Sequence, residues 1–273
     1  MKTIVLFSLF FCLNFYPTTS LRKIVPRRNS TRNISGGRII GGQTANPAQF
    51  THAAAIYVQN PTSRYFCSGS LLSNQWILTA GQCVDGATLF QIVLGSVHLS
   101  GGSEQIEVAT SSYVLHPDYN PLTLENDIGL IQLRLPITLT NYIQPFQRLS
   151  LAELPDYVTA TIFGWGQTSD EDAGLSDAMQ WVRVISLSNA ECALTYGSQI
   201  VDTMLCVEGN LNEGTCYGDI GSTLVQYFAS GQPFPVGIAS FVSFNGCEST
   251  DPSGFTRTYP YNAWIRNVTQ LDI

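Results

Sequence analysis

Residues 76–83 read Trp76-Ile77-Leu78-Thr79-Ala80-Gly81-Gln82-Cys83, and a short apolar run occupies the middle of this segment. Similar short apolar or alternating runs recur along the chain, separated by Gly, Pro, Asn and Asp. The runs are Ile77 to Ala80, Phe90 to Leu94, Ile128 to Leu133, Val158 to Phe163 and Val236 to Phe241. Runs of this length between turn residues are typical of β-strands, so the pattern predicts an all-β protein. A helical pattern appears mainly at the end, over Tyr261 to Val268.

The chain has 273 residues, 44% of them hydrophobic, which suits one globular protein with a sizeable core. Residues 1–20 carry Lys2, the apolar run Ile4 to Cys12 and small polar residues up to Ser20, which is the order of a secretory signal peptide. The apolar run is too short to span a bilayer, which disfavours a retained signal anchor. Residues 21–38 hold six basic residues and no acidic residue, and we interpret them as a basic propeptide.

Charge is distributed unevenly along the chain. After residue 38 there are six arginines, no lysine and all 20 acidic residues, so the processed protein would carry a net charge near −14. Such a surface repels nucleic-acid phosphates and anionic lipids, which argues against a nucleic-acid partner or a membrane-surface role. It favours a secreted, extracellular protein. A processed chain without lysine would also offer few tryptic sites, which suits a gut lumen.

The chain has seven cysteines, and one of them, Cys12, falls in the signal segment. The other six form an even set in a chain bound for an oxidising compartment, which predicts three disulfides but leaves their pairing open. Three Asn-x-Ser/Thr sequons make Asn29, Asn33 and Asn267 glycosylation candidates, and the first two would leave with the propeptide.

Six motifs follow one another in a fixed order. They are Arg38-Ile39-Ile40-Gly41-Gly42, Cys67-Ser68-Gly69-Ser70-Leu71-Leu72, Trp76-Ile77-Leu78-Thr79-Ala80, Asn126-Asp127-Ile128-Gly129-Leu130-Ile131, Phe163-Gly164-Trp165-Gly166 and Cys216-Tyr217-Gly218-Asp219. This ordered set, over residues 38 to about 268, resembles the chymotrypsin-like serine protease family, particularly its secreted insect and crustacean chymotrypsin and collagenase branch.

The resemblance implies an all-β fold of two antiparallel six-stranded β-barrels packed face to face, with a short C-terminal helix. The N-terminal barrel would span about residues 39–145 and the C-terminal barrel about residues 146–273, with the functional cleft between them. The disulfides implied by the family pattern are Cys67–Cys83, Cys192–Cys206 and Cys216–Cys247.

In this family serine, histidine and aspartate act as one unit, in which the imidazole takes the proton of the serine hydroxyl during attack. The resemblance assigns Asp127 to the carboxylate, Gln82 to the base and Ile220 to the nucleophile. An amide is not a base near neutral pH, and isoleucine offers only carbon, so the triad is degenerate. Ser222 lies two residues too far along to replace the nucleophile. We expect Gln82 to donate its amide to Asp127, because an unpaired buried carboxylate is costly.

Other parts of the family machinery are retained. Cleavage after Arg38 by an activating trypsin-like protease would free the amino group of Ile39, which in the family pairs with the residue at Asp219. A half-made buried ion pair is costly, so this pairing would order the loops around residues 214–221. The alternative is that these residues persist only to keep the core intact. Gly218 and Ile220 would present the two amides of an oxyanion hole.

The resemblance also places a specificity pocket. Gly214 would form its floor, Ser240, Phe241 and Val242 its wall, and Ser253 the opposite side. Most relatives have glycine at the position of Val242, and elastases with valine there have narrowed pockets. We therefore expect the pocket to admit a small apolar group, if any.

No cofactor or metal is expected, because no set of His, Cys, Asp and Glu has the spacing of a ligand set. Glu104 and Glu107 lie near a loop where some relatives bind calcium, but we expect them to be ordinary surface carboxylates. His52, His98 and His116 are expected to be structural or solvent-facing.

The favoured hypothesis is a secreted, inactive serine protease homologue that acts as a monomer. It would bind a protease, a protease inhibitor or a protease substrate, and so act as decoy, competitor or cofactor. The rival hypothesis is a weak or repurposed hydrolase that works from the oxyanion hole alone. A third is a duplicated digestive gene with no retained role.

Overall fold

The computed structural model of the chain describes residues 24–25, 42–171, 174–209, 214–228 and 231–273. The predicted signal peptide and most of the predicted propeptide lie outside these residues. So do Arg38, Ile39, Asn29 and Asn33. The leader, the propeptide and the boundary between the two barrels therefore stay predictions.

Fifteen strands occur in the described residues. They are β1 (Ile24–Val25), β2 (Gln43–Thr44), β3 (Ala53–Gln59), β4 (Arg64–Leu71), β5 (Trp76–Thr79), β6 (Leu89–Leu94), β7 (Ile106–Thr110), β8 (Ser112–Leu115), β9 (Gly129–Gln132), β10 (Thr159–Gly164), β11 (Gln180–Leu187), β12 (Met204–Val207), β13 (Thr223–Tyr227), β14 (Pro233–Ser243) and β15 (Ser253–Arg257). Each of the five apolar runs found in the sequence falls on one of these strands, so the predicted all-β class is confirmed.

The helices are short and few. They are α1 (Gly81–Val84), α2 (Asn189–Tyr196) and α3 (Asn262–Thr269), with 3₁₀ turns at Gly197–Gln199 and Tyr259–Tyr261. The predicted C-terminal helix is confirmed as α3. Helix α2 was not predicted, although the sequence holds its signal: Ser188 and Glu191 form a capping box at its start. Among the described residues, no helix combines the length and the apolar character needed to cross a membrane.

The C-terminal half forms a closed six-stranded antiparallel barrel. The strands follow the order β14-β13-β10-β11-β12-β15, and the pairing of β15 with β14 closes the ring. Strand β2 adds to β11, and strand β1 adds to β14. Closure removes the free edges of these six strands, which is why a barrel of short strands is stable.

The N-terminal half is a curled seven-stranded sheet in the order β7-β6-β3-β4-β5-β9-β8. The expected second closed six-stranded barrel is thus replaced by a half-barrel whose end strands, β7 and β8, have no ladder between them in the described residues. The reason is local. These two strands are consecutive in the chain and separated only by Ser111, so they continue one another. The hydroxyl of Thr110 also donates to Gln132 O at 2.8 Å, which links β7 to β9 in place of a ladder.

The two halves share one apolar core. Ile56, Leu78 and Ile131 of the N-terminal sheet belong to the same buried cluster as Phe163 and Ile238 of the barrel. Burial of this surface holds the two halves together. A site built from both halves therefore rests on a rigid interface.

The three disulfides are Cys67–Cys83, Cys192–Cys206 and Cys216–Cys247, as the family pattern implied. The first joins β4 to α1, and the third joins the loop before Asp219 to the loop after β14. Both flank the cleft, so they fix the loops that carry the candidate site.

The capping box of α2 provides a test of the fold. Ser188→Ala removes the hydroxyl that accepts from Glu191 N, and we expect the free energy of unfolding to fall by about 1 kcal/mol. Ser198→Ala, at an exposed serine just beyond the same helix, is the control and should change it by less than about 0.5 kcal/mol. Urea unfolding measures both. Equal effects of the two substitutions would contradict the capping role.

Candidate functional site

The site is built around the fully buried carboxylate of Asp127, which lies just before β9. The turn that delivers it has two residues in the left-handed region, Leu124 (φ 58°) and Asn126 (φ 55°). Asparagine tolerates this conformation better than most residues. Here its side chain also donates to Asp118 O and accepts from the Tyr261 hydroxyl, each at 2.8 Å. The turn is thereby held by the start of the C-terminal helix region.

Gln82 supplies two of the hydrogen bonds that Asp127 accepts. Its backbone N–H donates to Oδ1 at 2.8 Å, and its side-chain Nε2 donates to Oδ2 at 2.6 Å. The same Nε2 donates to Ser240 O at 2.8 Å. The expected hydrogen bond between Gln82 and Asp127 is therefore confirmed, and it extends across the cleft to the barrel.

Ser240 completes the network from β14, where its hydroxyl donates to Asp127 Oδ2 at 2.6 Å. Burial raises the pKa of Asp127 to about 6, although the hydrogen bonds from Ser240 and Gln82 act in the opposite direction. In the described residues no cationic side chain lies within ion-pair distance of this carboxylate. The environment of Asp127 thus consists of neutral donors.

Ile220 lies beside this network as a core residue. Its side chain is 3% exposed and belongs to the cluster shared by the two halves of the molecule. Its carbonyl accepts from Ser68 N at 2.8 Å, which joins its loop to β4, and the next residue, Gly221, donates to Ala239 O at 2.8 Å. Isoleucine therefore fits this position by packing, with no polar group to satisfy.

Three buried serine hydroxyls surround the same loop, and each is already committed as a donor. Ser222 Oγ donates to Phe163 O, and Ser68 Oγ donates to Gly218 O at 3.1 Å. The third, Ser240 Oγ, donates to the carboxylate described above. All three are at most 2% exposed, so none of them presents its hydroxyl to solvent in the cleft.

The backbone amides of Gly218 and Ile220 have no acceptor among the described residues. Gly218 has φ 101°, a conformation that favours glycine, and a Cβ there would lie 2.7 Å from Leu175 Cδ2. After this loop, Ser222 N donates to Asp219 O at 2.8 Å, and Thr223 opens β13.

The side chain of Asp219 anchors the loop that carries Gly218 and Ile220. Its fully buried carboxylate accepts from Gly166 N at 2.9 Å and from Cys216 N at 3.0 Å. Burial raises its pKa to about 7, against the lowering effect of these two bonds. A Cβ on Gly164 or Gly166 would overlap the carboxylate, so the glycines make room for it. The pairing of Asp219 with Ile39 falls outside the described residues.

Two of the residues assigned to the specificity pocket, Gly214 and Ser253, lie together. Ser253 Oγ is 3.9 Å from the point that a Cβ on Gly214 would occupy, so these two face each other. Val242 is buried against the Cys216–Cys247 disulfide. The sequence reasoning missed Thr215, next to Gly214, whose buried Oγ1 has no hydrogen-bond partner in the described residues. Its position beside the assigned floor was the available signal.

Phe241, which was assigned to the wall of the specificity pocket, packs elsewhere. It is 1% exposed and packs edge to face on Tyr196, with ring centroids 5.4 Å apart, in a cluster that includes Leu124. Its ring lies on the backbone of Gly254, its partner in the β14–β15 ladder, where any Cβ would overlap ring atoms. Phe241 thus fills space beneath the strand, whereas Ser240 and Val242 occupy its other side.

The three histidines lie apart from Gln82. His52 is buried among Phe50, Phe146 and Phe163, and burial lowers its pKa to about 3. His98 is exposed and lies 3.2 Å from Asp177. His116 packs on Tyr261 and Trp264. They agree with the expected structural or solvent-facing roles.

One group of metal-ligating residue types occurs in the described residues, namely Asp170, Cys216 and Cys247. Its two cysteines form a disulfide and so offer no thiolate. Asn267 is exposed on α3, as an acceptor for glycosylation would have to be.

Residues 39–265 match the family model described as Trypsin. The chain belongs to the trypsin family. It is 35% identical over 234 residues to brachyurin from Leptuca pugilator, covering 85% of this chain and 99% of that one. It is 33% identical over 240 residues to collagenase from Hypoderma lineatum, covering 86% and 88%. Human chymotrypsin-like elastase family member 1 is 32% identical over 255 residues, covering 88% and 96%.

The solved structure of HL collagenase at 1.7 Å resolution superposes with a TM-score of 0.77 at 32% identity, covering 86% of this chain and all of that one. This trypsin-family chain therefore has the chymotrypsin fold, and its relatives include serine endopeptidases. The candidate site lies at the same interface of two β-structures that the motifs indicated.

The raised pKa of Asp127 predicts how the stability of this trypsin-family chain depends on pH. Between about pH 4 and pH 6 the carboxyl of Asp127 is protonated in the folded chain, whereas in the unfolded chain it has lost its proton. The contribution of Asp127 is therefore complete below about pH 4 and is lost as the pH rises through about 6. Relative to Asp127→Asn, the free energy of unfolding of the wild type should fall by about 3 kcal/mol between pH 3 and pH 8.

Urea unfolding of the uncleaved chain at a series of pH values measures this difference. In Asp127→Asn the new NH2 group faces one of the hydrogen-bond donors that surround residue 127. We therefore expect the variant to be destabilised by an additional amount that does not depend on pH. Only the pH-dependent part of the difference in unfolding free energy tests the raised pKa of Asp127. Asp156→Asn, at an exposed acid, is the control. Parallel pH profiles for wild type and Asp127→Asn would contradict the raised pKa.

The contact between Phe241 and Gly254 gives a second test. Gly254→Ala forces the ring out of its place, and we expect the free energy of unfolding to fall by about 1–3 kcal/mol. In the Phe241→Ala background the same change should cost at least about 1 kcal/mol less, because the overlapping ring is gone. A double-mutant cycle by urea unfolding measures the coupling, and additive effects would contradict the contact.

Proposed function

We propose that this chain is a secreted, catalytically inactive member of the trypsin family that acts by binding a protein in its cleft. The observation that carries the proposal is the side-chain amide of Gln82. Its nitrogen has two hydrogens, and it donates to both Asp127 and Ser240 O. An amide nitrogen has no basic lone pair, so it cannot accept a proton from an attacking hydroxyl.

Ile220 supports the same conclusion independently. The family mechanism needs a hydroxyl whose proton passes to the base, and a hydrocarbon side chain occupies the assigned position. Loss of triad members is not additive, since they act as a unit, and the residual catalysis is roughly 10³ to 10⁴ over water. That level is far below the range in which endopeptidases work.

Binding without turnover has structural support. The amides of Gly218 and Ile220 are free of acceptors among the described residues, and the loop that carries them is tied down through Asp219. Hydrogen-bond donors held in place in this way can bind a carbonyl oxygen of a peptide without any reaction. The partner we propose is a protease inhibitor, a protease or a protease substrate.

The disulfides and the predicted leader support an extracellular location. Three disulfides suit an oxidising compartment, and residues 1–20 have the pattern of a signal peptide. The net negative charge of the processed chain disfavours a nucleic-acid or anionic-membrane partner. No cofactor is part of the proposed function.

A second candidate is a weak or repurposed hydrolase. The same free amides of Gly218 and Ile220 favour it, because an oxyanion hole alone stabilises the transition state of an activated ester. Retention of a duplicated digestive gene without any role is the third possibility. Turnover and competition measurements separate the three.

Turnover is tested on the purified chain cleaved after Arg38. Wild type should release no detectable product from a peptide with a small apolar residue at the cleavage point, because a rate roughly 10³ to 10⁴ over the very slow reaction in water stays below detection. An activated ester is assayed in parallel as the substrate of the rival hydrolase. Gln82→His combined with Ile220→Ser should restore measurable turnover, whereas each single change should not, because the groups act together. Wild-type turnover that is abolished by blocking the cleft would establish the hydrolase instead.

Binding is tested with the active double variant as reporter. A protease inhibitor purified from the native secreted fluid is titrated to half-inhibition of the double variant, and excess cleaved wild type is then added. We expect recovery of activity, because both proteins present the same surface to the inhibitor. Uncleaved wild type is the control. The decoy role would be contradicted if the cleaved wild type failed to relieve the inhibition of the double variant by every inhibitor tested.

A further inference from the structure

A cavity of about 510 Å³ lies on the outside of the barrel, apart from the candidate site. Its walls come from the segment just before β3 and from β10, β11 and β13, and it is not lined by Gln82, Asp127 or Ile220. Cavities of this size bind small organic molecules in many proteins. The chemistry of the walls therefore indicates what this cavity could hold.

The strand register brings the polar side chains of the cavity to one face of the sheet. Thr161 of β10 lies opposite Arg183 of β11 and opposite Val225 of β13. Side chains at directly opposite positions share a face of the sheet and are close neighbours. The residues on either side of Thr161, Ala160 and Ile162, belong to the core of the barrel. Thr161 and Arg183 therefore project outward, where both line the cavity.

Three aromatic side chains, Phe50, Trp181 and Tyr227, also line the cavity. Phe50 is held in place by stacking on Phe163, with ring centroids 4.6 Å apart. Trp181 is half-buried, and the guanidinium carbon of Arg183 lies 6.0 Å from the centre of its ring. Aromatic walls of this kind favour a flat aromatic molecule, because rings gain from offset or edge-to-face packing beyond the area that they bury.

The guanidinium of Arg183 supplies positive charge to this cavity. Within the described ranges it makes no ion pair and no side-chain hydrogen bond, and none of the described lining residues is acidic. The hydroxyl of Thr161, a residue only 6% exposed, has no hydrogen-bond partner in the same ranges either. A guanidinium matches the geometry of a carboxylate and binds it through two parallel hydrogen bonds. The donors of the cavity are therefore complementary to a carboxylate.

We propose that this cavity is a binding site for a small aromatic carboxylate. The carboxylate accepts from the Arg183 guanidinium and the Thr161 hydroxyl, and the aromatic body packs against Trp181 and Tyr227. Because Phe50 belongs to the segment before β3 and the other four belong to the barrel, the bound molecule also joins the two halves of the chain. The site is separate from the cleft, so the inference does not rest on the proposed function.

Nuclear magnetic resonance of the isotope-labelled, uncleaved chain tests the proposal, with 2-naphthoate as the probe. Each tryptophan gives one indole N–H signal, and Trp181→Phe identifies the signal of Trp181. We expect 2-naphthoate to shift this signal in a saturable way, with a Kd of the order of 1 mM or below. The signal of Trp264, which is half-buried on α3 and does not line the cavity, should stay in place.

Arg183→Gln removes the charge and should raise the Kd for 2-naphthoate at least about tenfold, because a hydrogen bond between charged groups is lost. Arg64→Gln, at an exposed arginine on β4, is the matched control and should bind as the wild type does. Thr159→Phe, at an exposed residue of the lining, fills the cavity and should abolish the saturable shift. The neutral amide 2-naphthamide should bind at least about tenfold more weakly than the acid.

The proposal would be overturned by the absence of a saturable shift of the Trp181 signal. Equal Kd values for wild type and Arg183→Gln would overturn it too, as would equal Kd values for the acid and the amide. The remaining N–H signals show whether each variant is folded. The titration uses no protein partner and no reaction, so its failure is distinct from failure of the decoy function.

Discussion

The buried carboxylate of Asp127 is the constraint on which the site depends. It has no exposure, and an acceptor in that position must be supplied with donors or it destabilises the fold. The donors come from both halves of the molecule: Gln82 from α1 in the N-terminal half, and Ser240 from β14 in the barrel. The carbonyl of Asp127 accepts from Thr256 of β15 at 2.9 Å. One residue therefore links the curled sheet to the closed barrel.

Gln82 satisfies this constraint without providing a base. A histidine would use one ring nitrogen as a donor to the carboxylate and leave the other with a lone pair for the nucleophile. The amide nitrogen of Gln82 has no lone pair to offer, and its second hydrogen goes to the barrel backbone. The substitution preserves the hydrogen bonds that stabilise the interface and removes the proton acceptor. Ile220 acts similarly, since it joins the shared core instead of presenting a hydroxyl.

Much of the fold and of this network was predictable from the sequence. The run Ile77 to Ala80 gave β5, and burial of a carboxylate next to a long amide side chain gave the Gln82–Asp127 bond. The N-terminal half-barrel was not predictable from run lengths, because its two end strands, β7 and β8, are separated only by Ser111 and continue one another. Helix α2 has a capping box in the sequence that a search for apolar periodicity does not detect.

Contacts between residues that are far apart in the sequence were the other feature that could not be predicted. The ring of Phe241 lies on Gly254 because the second residue has no side chain, a relation between positions on two strands that no local pattern contains. The two-residue strand β1 is shorter than any periodicity can identify, and its partner is more than 200 residues away. Such pairings are fixed by tertiary geometry and become visible only in the folded chain.

The central claim is that the cleft holds no activated nucleophile. Intact mass measured after the cleaved chain is incubated with a fluorophosphonate probe tests it most directly. The account predicts an unchanged mass for the wild type and one added probe for the chain carrying Gln82→His and Ile220→Ser. A stable adduct on any cleft residue of the wild type would contradict it.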